Sequence, residues 1–263
     1  SIYLKLANIY STKLDKKPLA VECLENAYNL DETNSEILNT LLSLVLELKN
    51  FERAKELYFK KLDITDEYEI TNLKLEISKF IVEKFRDFET AITLLGEILD
   101  TDPLEEKTIK FLLKLNDFIK VENFELKLRI LTILKSVYTN ASKYDELDNF
   151  YASLIHLDGV DDNQKIDLLK DEINIMFENS EFERGMKKYQ EVLIISKGDT
   201  ELLMKGVIYA EYTNDYEGLI KIYKSILSGL KENVDKVLEI YVLLGDISFK
   251  YLSNFEAAEK YFQ

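Results

Sequence analysis

The sequence predicts an all-α chain, wound as a right-handed α-α superhelix of about seven antiparallel helix pairs, roughly 15 helices in all. Three observations predict it: a shortage of turn residues, a short motif that recurs at a near-constant period, and apolar residues at helical spacing. Hydrophobic residues make up 46% of the 263 positions and charged residues 32%, but there are only 8 Gly and 2 Pro. An all-β fold, with a turn every ~8–12 residues, would need more. Long helices with short polar joints fit the supply.

The motif is clearest at Asn50-Phe51-Glu52-Arg53-Ala54. It returns at Asp87–Ala91, Glu181–Gly185, Asp215–Leu219 and Asn254–Ala258, with a weaker copy at Lys143–Leu147. Asp15–Ala20 is another copy, with Pro18 where a helix begins and a missing amide costs nothing. The last residue of each copy serves as an anchor: Ala20, Ala54, Ala91, Leu147, Gly185, Leu219 and Ala258. Successive anchors lie 34, 37, 56, 38, 34 and 39 residues apart, so all spacings but one fall near 34, a period that marks a helical repeat. The two ends match as well, Leu6-Ala7-Asn8-Ile9 aligning with Leu244-Gly245-Asp246-Ile247 at an offset of seven such periods.

Each unit reads as two helices. Leu38, Leu41, Leu42 and Val45 share one helix face, and Ala54, Leu57, Tyr58 and Leu62 share another. A small anchor lets the two helices cross closely, and the aromatic four residues on (Tyr58, Tyr189, Tyr223, Phe262) fills the space toward the next unit. No single pair can bury its own apolar face, so stacking supplies the core. The long spacing predicts an irregular unit around 104–140, with one helix near Glu105–Lys120 and another near Phe124–Asn140 before the pair completed by Lys143–Ile155. We read the chain as one array over 1–263, a fragment of a longer protein, with a boundary between two sub-arrays open in the irregular stretch.

These residues resemble the tetratricopeptide repeat family over essentially the whole chain. The likeness rests on Leu244-Gly245, Leu6-Ala7, Tyr10, the anchors and Asp102-Pro103, although Trp is absent and Leu stands at two anchors. The resemblance implies a protein-binding module whose first helices line a concave face. In register, that face would include Asn8, Ser11, Glu36, Glu76 and Phe80. Toward the C-terminus the candidate binding face is Glu201, Met204, Ile208, Glu211, Tyr212, Glu239, Asp246 and Phe249. The excess of acids there points to a basic partner segment. Family members that clamp a carboxyl terminus use inward Lys and Arg, and Glu76 and Phe80 stand in that helix instead, which argues against a carboxylate clamp.

Charge narrows the partners further. Lys and Arg number 34 against 49 acids, a net of −15, which disfavours nucleic acid and anionic membrane surfaces. No apolar run approaches the ~18 residues needed to span a bilayer. Chemistry-bearing residues are sparse: the single Cys23 reads as a packed thiol, and the single His156 as a helix-terminal residue. Asp158–Asn163 lacks the ligand order of a calcium loop and reads as a loop with a helix N-cap. We therefore expect no catalytic, metal or cofactor site. The lone cysteine points to the cytoplasm, with the periplasm left open because the full N-terminus lies outside this sequence. The reading is a non-catalytic interaction scaffold holding a partner protein or peptide on its concave face. The alternative is a structural spacer rod in a large assembly, for example a motility or envelope complex.

Overall fold

The chain is described by a computed structural model over residues 2–196, 198–227, 229–230 and 233–263. Among these residues there are 15 α-helices and no strand. The first is α1 (Ile2–Asn8), continued by a π-helical turn over Ile9–Lys13. Then come α2 (Lys17–Leu30), α3 (Ser35–Glu47), α4 (Phe51–Ile64), α5 (Glu67–Phe85), α6 (Phe88–Thr101) and α7 (Glu106–Phe118). A 3₁₀ turn (Val121–Asn123) leads into α8 (Phe124–Asn140), followed by α9 (Tyr144–Ile155), α10 (Asp162–Glu178) and α11 (Phe182–Ile195). The last are α12 (Thr200–Thr213), α13 (Tyr216–Leu227), α14 (Val234–Lys250) and α15 (Phe255–Phe262).

The recurring motif is a joint, and its register explains every part of it. Among the described residues, all seven non-glycine residues with positive φ stand five positions before an anchor: Asp15, Lys49, Arg86, Ser142, Ser180, Asn214 and Ser253. Each ends a first helix in the left-handed conformation. The next residue's amide then reaches back to a carbonyl of the last turn, as in Asn50 N to Val45 O (3.1 Å) and Glu181 N to Met176 O (2.7 Å). At Asn50, Asp87, Asp215 and Asn254 that next residue also caps the second helix, its side chain accepting the amide one position before the anchor. The acid at 52, 89, 183, 217 or 256 sits in the first turn, where it meets the positive end of the helix dipole. This gives seven pairs (α1/α2, α3/α4, α5/α6, α8/α9, α10/α11, α12/α13 and α14/α15) and leaves α7 as the odd helix.

The anchors are all buried in the pair crossings. At Gly185 a Cβ would stand 2.6 Å from the Phe177 ring, so α10 and α11 cross closer than a side chain allows. Four positions beyond the anchors, Tyr58, Tyr151, Tyr189 and Tyr223 are buried, as are Leu24 and Leu95. Phe262 is exposed instead, its ring lying against Gly245 of its own pair. Tyr58 donates to Glu76 of α5 (2.7 Å), Tyr151 to Asp171 of α10 (2.5 Å) and Tyr189 to the Leu202 carbonyl of α12 (2.9 Å). Each of these hydroxyls therefore ties a second helix to the following unit's first helix. Tyr223 turns back to the Leu203 carbonyl, and Gly206 makes room for the hydroxyls of Tyr189 and Tyr223 together. Burial holds all four hydroxyls above their ordinary value, Tyr223 at about 12, so they remain donors.

The chain forms two compact units, Ser1–Ile133 and Leu134–Gln263, and the division falls inside α8. The N-terminal half of α8 belongs to the first unit: Arg129 reaches Glu89 and Thr93 on α6, and the buried Lys127 donates to the Asn116 carbonyl at the end of α7. The C-terminal half belongs to the second, where Lys135 pairs with Asp171 of α10 at 3.1 Å. The long anchor spacing is thus α7 together with a helix that ends one unit and begins the other.

One acid lies inside the second unit. The Glu172 side chain is 0% exposed, and Lys188 of α11 approaches it at 3.2 Å without an aligned hydrogen bond. Asp148 of α9 lies beside it, with one buried oxygen unpaired among the described residues and the other held by Arg184 at 2.9 Å. Burial raises the Glu172 carboxyl from 4.5 to about 8, Lys188 opposing this and Asp148 adding to it. The neutral form is the one the fold favours, so this contribution to stability is complete below pH 4.5 and is lost as pH rises toward 8.

Three outcomes are expected. Ala54→Trp or Ala91→Trp should overpack its crossing and cost roughly 1–3 kcal/mol or more in chemical denaturation; unchanged midpoints for both would reject the register. Ser180→Val should be less stable than Ser180→Gly by about 1–2 kcal/mol, because a β-branched residue resists positive φ where glycine does not. The urea midpoint of Glu172→Gln, compared with wild type, should gain with pH between 5 and 8 and level off above; a pH-independent difference would mean that Glu172 is ionised throughout.

Candidate functional site

The second unit carries an open groove on its first helices. Leu202, Leu203 and Ala210 of α12, and Ile240, Leu244 and Ile247 of α14, are buried toward the pair partners. That phase turns Met204 and Ile208 outward, 57% and 52% exposed. The groove between α12 and α14 has a volume of about 440 Å³. Val207, Leu243, Ile247 and Tyr251 line it with Met204 and Ile208, and Glu201, Lys205, Asp246 and Lys250 complete it. In the first unit a smaller groove of about 350 Å³ occupies the corresponding first helices, α1 and α3, and its lining is more polar: Lys5, Asn8, Ser11, Glu36 and Thr40 beside Leu4 and Leu44.

Four of the eight expected face residues, Glu201, Met204, Ile208 and Asp246, come together in the α12/α14 groove. Glu239 is half-buried, paired with Lys236 at 3.1 Å and accepting from Thr200 at 3.2 Å. Glu211, Tyr212 and Phe249 stand apart from the groove lining, where first helices turn into second helices; Tyr212 stacks on Phe182 and Phe249 packs edge-on to Phe255. In the first unit Phe80 does not face outward as expected. It is buried among Phe51, Tyr58 and Phe85, because aromatic residues from α4 and the end of α5 enclose it. Glu76 is engaged by the Tyr58 hydroxyl.

The charge around the groove is balanced locally. Lys205 lies 3.0 Å from Glu201, and Lys250 lies 2.7 Å from Asp246, each one helical turn along the same helix. Hydrogen bonding to Lys205 holds the Glu201 carboxyl below its ordinary value, and hydrogen bonding to Asp246 holds the Lys250 ammonium above its own. The i, i+4 spacing of both pairs is readable in the sequence and signals this neutralisation. What the rim leaves uncompensated is the apolar floor.

The remaining chemistry-bearing residues do not converge. His156 is exposed at the C-cap of α9, and Cys23 is half-buried in α2. Asp161 caps α10 through a reciprocal pair of hydrogen bonds with Gln164. Among the described residues no group of three His, Cys, Asp or Glu side chains could hold a metal ion, and no helix is long and apolar enough to cross a membrane.

No protein-family model matches the chain, and no curated protein does. Solved structures are similar to it at low identity. PilW, a type IV pilus biogenesis factor, is 11% identical, covering 92% of this chain and 97% of its own, with a TM-score of 0.29. The TPR2AB domain of yeast Sti1, in a pHSP90 complex, is 11% identical with 96% and 95% covered and a TM-score of 0.31. The P58(IPK) TPR domain is 16% identical with 99% and 83% covered and a TM-score of 0.25. At such scores the likeness carries no argument.

Proposed function

We propose that the chain, whose seven joints share the register of a tetratricopeptide-like array, is a non-catalytic scaffold that holds a partner protein on the first-helix face of its second unit, in the groove between α12 and α14. The observation that carries this reading is the apolar floor of that groove. Met204 and Ile208 remain half or more exposed between two self-neutralised ion pairs, and exposed apolar surface rimmed by polar residues marks an interaction site. The occupant is a peptide segment that seats apolar side chains on Met204, Ile208 and Leu243. The net charge of −15 steers a basic partner toward the chain, which acts on association rate more than on the held complex.

A second reading, a spacer rod within an assembly, is favoured by exposed Val234, Leu238, Phe255 and Phe262 on the α14/α15 pair. In that case the apolar contacts would lie away from the groove.

The two readings separate in one experiment. Partners are captured by cross-linking, and the affinity of the captured protein is measured for Met204→Glu/Ile208→Glu and for Leu238→Glu. The groove reading expects the double variant to lose roughly tenfold or more, with Leu238→Glu near wild type. The opposite order would establish the spacer.

A further inference from the structure

The joints of the two units place different chemistry at one shared position. At four of the six successive anchor pairs, the residue seven before an anchor lies against the residue three before the preceding anchor. In the first unit this contact is an ion pair between Glu47 and Lys17 at 3.0 Å, then Lys84 over the Phe51 ring at 4.8 Å. Glu83 completes the latter, 2.6 Å from the Lys84 ammonium, so a cation sits between an acid and a ring. In the second unit the corresponding residues are Tyr212 on Phe182 (6.1 Å between ring centres) and Tyr251 on Tyr216 (4.3 Å), both stacked within 18° of parallel. At the first of these the acid is kept, Glu211 corresponding to Glu83 by register; at the second Lys250 stands there, paired with Asp246. Among the described residues Glu211 makes no ion pair, and Tyr212 is 64% exposed. Tyr251 is exposed as well, and Glu211 and Tyr251 both lie near enough to Tyr216 to add to burial in raising its hydroxyl.

We infer that the acid-and-ring edge formed by Glu211, Tyr212, Tyr216 and Tyr251 receives an arginine or lysine side chain from a basic partner segment. The inference rests on the scaffold reading for the existence of a partner, and it adds a second contact that extends from the groove through their shared residue Tyr251. Its support is internal. Where the same register carries a lysine, the chain's own ammonium bridges acid and ring; where Tyr212 replaces that lysine, its ring takes the lysine's place on Phe182, Glu211 has no ion pair among the described residues, and Tyr212 and Tyr251 remain exposed beside the half-buried Tyr216. A cation over an aromatic face is attracted by the ring quadrupole. Arginine fits better than lysine, because its planar guanidinium can stack on a ring while its N–H groups reach a carboxylate. The tyrosine edge thus distinguishes a basic segment from a merely apolar one, which the charge-balanced groove does not.

The test is a titration of the intact chain with a capped triarginine peptide, followed through the aromatic ring resonances of Tyr212, Tyr216 and Tyr251. The expected result is a saturable shift of these rings ahead of other aromatic signals, with affinity falling roughly two- to five-fold in Glu211→Gln and again in Tyr212→Leu. Glu211→Gln is an exposed, isosteric change, so it remains informative if Tyr212→Leu disturbs the joint. Shifts scattered over the acidic surface, or the same affinity in Glu211→Gln and wild type, would overturn the inference. The captured partner provides the separation from the groove reading. If its affinity drops in Met204→Glu/Ile208→Glu and is unchanged in Glu211→Gln, the edge is rejected and the scaffold stands.

Discussion

A backbone turned left-handed without the help of glycine is the constraint on which this array depends. At each of the seven joints a Ser, Lys, Arg, Asp or Asn takes positive φ five residues before the anchor, a conformation that costs an L-residue about 1–2 kcal/mol. That turn closes the first helix with a backward hydrogen bond and delivers the next residue to the N-cap position, where Asn50, Asp87, Asp215 and Asn254 cap with their side chains. The ring, the acid and the small anchor then fall at fixed phases of the second helix. Because the interval is fixed, each anchor is buried against its partner helix, and Tyr58, Tyr151 and Tyr189, four residues on, reach the first helix of the next pair. The strain is tolerated because the buried anchors and the capped amides determine the geometry on both sides.

This explains which parts of the fold were legible. The motif could be read because caps, rings and small anchors are chemically distinctive at fixed offsets, so all seven pairs and the odd helix followed from spacing. The turns themselves carried no glycine signal. Lys49, Arg86 and Ser180 look like ordinary helix-surface residues, and only the motif downstream betrays their conformation. The double role of α8 was hidden for a different reason: its sequence shows a continuous helical period, and nothing local records that its two halves pack into different units. Glu172 was equally silent, since a glutamate in an acidic chain is expected in water, yet α9 and α11 enclose it.

The candidate face was legible in position and less so in chemistry. Register alone brought Glu201, Met204, Ile208 and Asp246 to one groove. Counting acids along that face overstated its charge, because it ignored the lysine one turn after Glu201 and after Asp246. Register also cannot tell an exposed ring from a packed one: Phe80 and Ile208 stand at equivalent positions, eleven before their anchors, but the rings of Phe51, Tyr58 and Phe85 enclose the former.

The exchange of chemistry at the shared joint position has a mechanical side. An exposed ion pair such as Lys17–Glu47 weakens as salt screens it, whereas stacked rings such as Tyr216 and Tyr251 do not depend on ionic strength. Joints of identical backbone therefore respond unequally to their medium. Rising salt weakens the ion pair between α2 and α3 while the stacked rings that join α13 to the end of α14 are unaffected, so the salt response of a joint can be changed at one side-chain pair without altering the repeat.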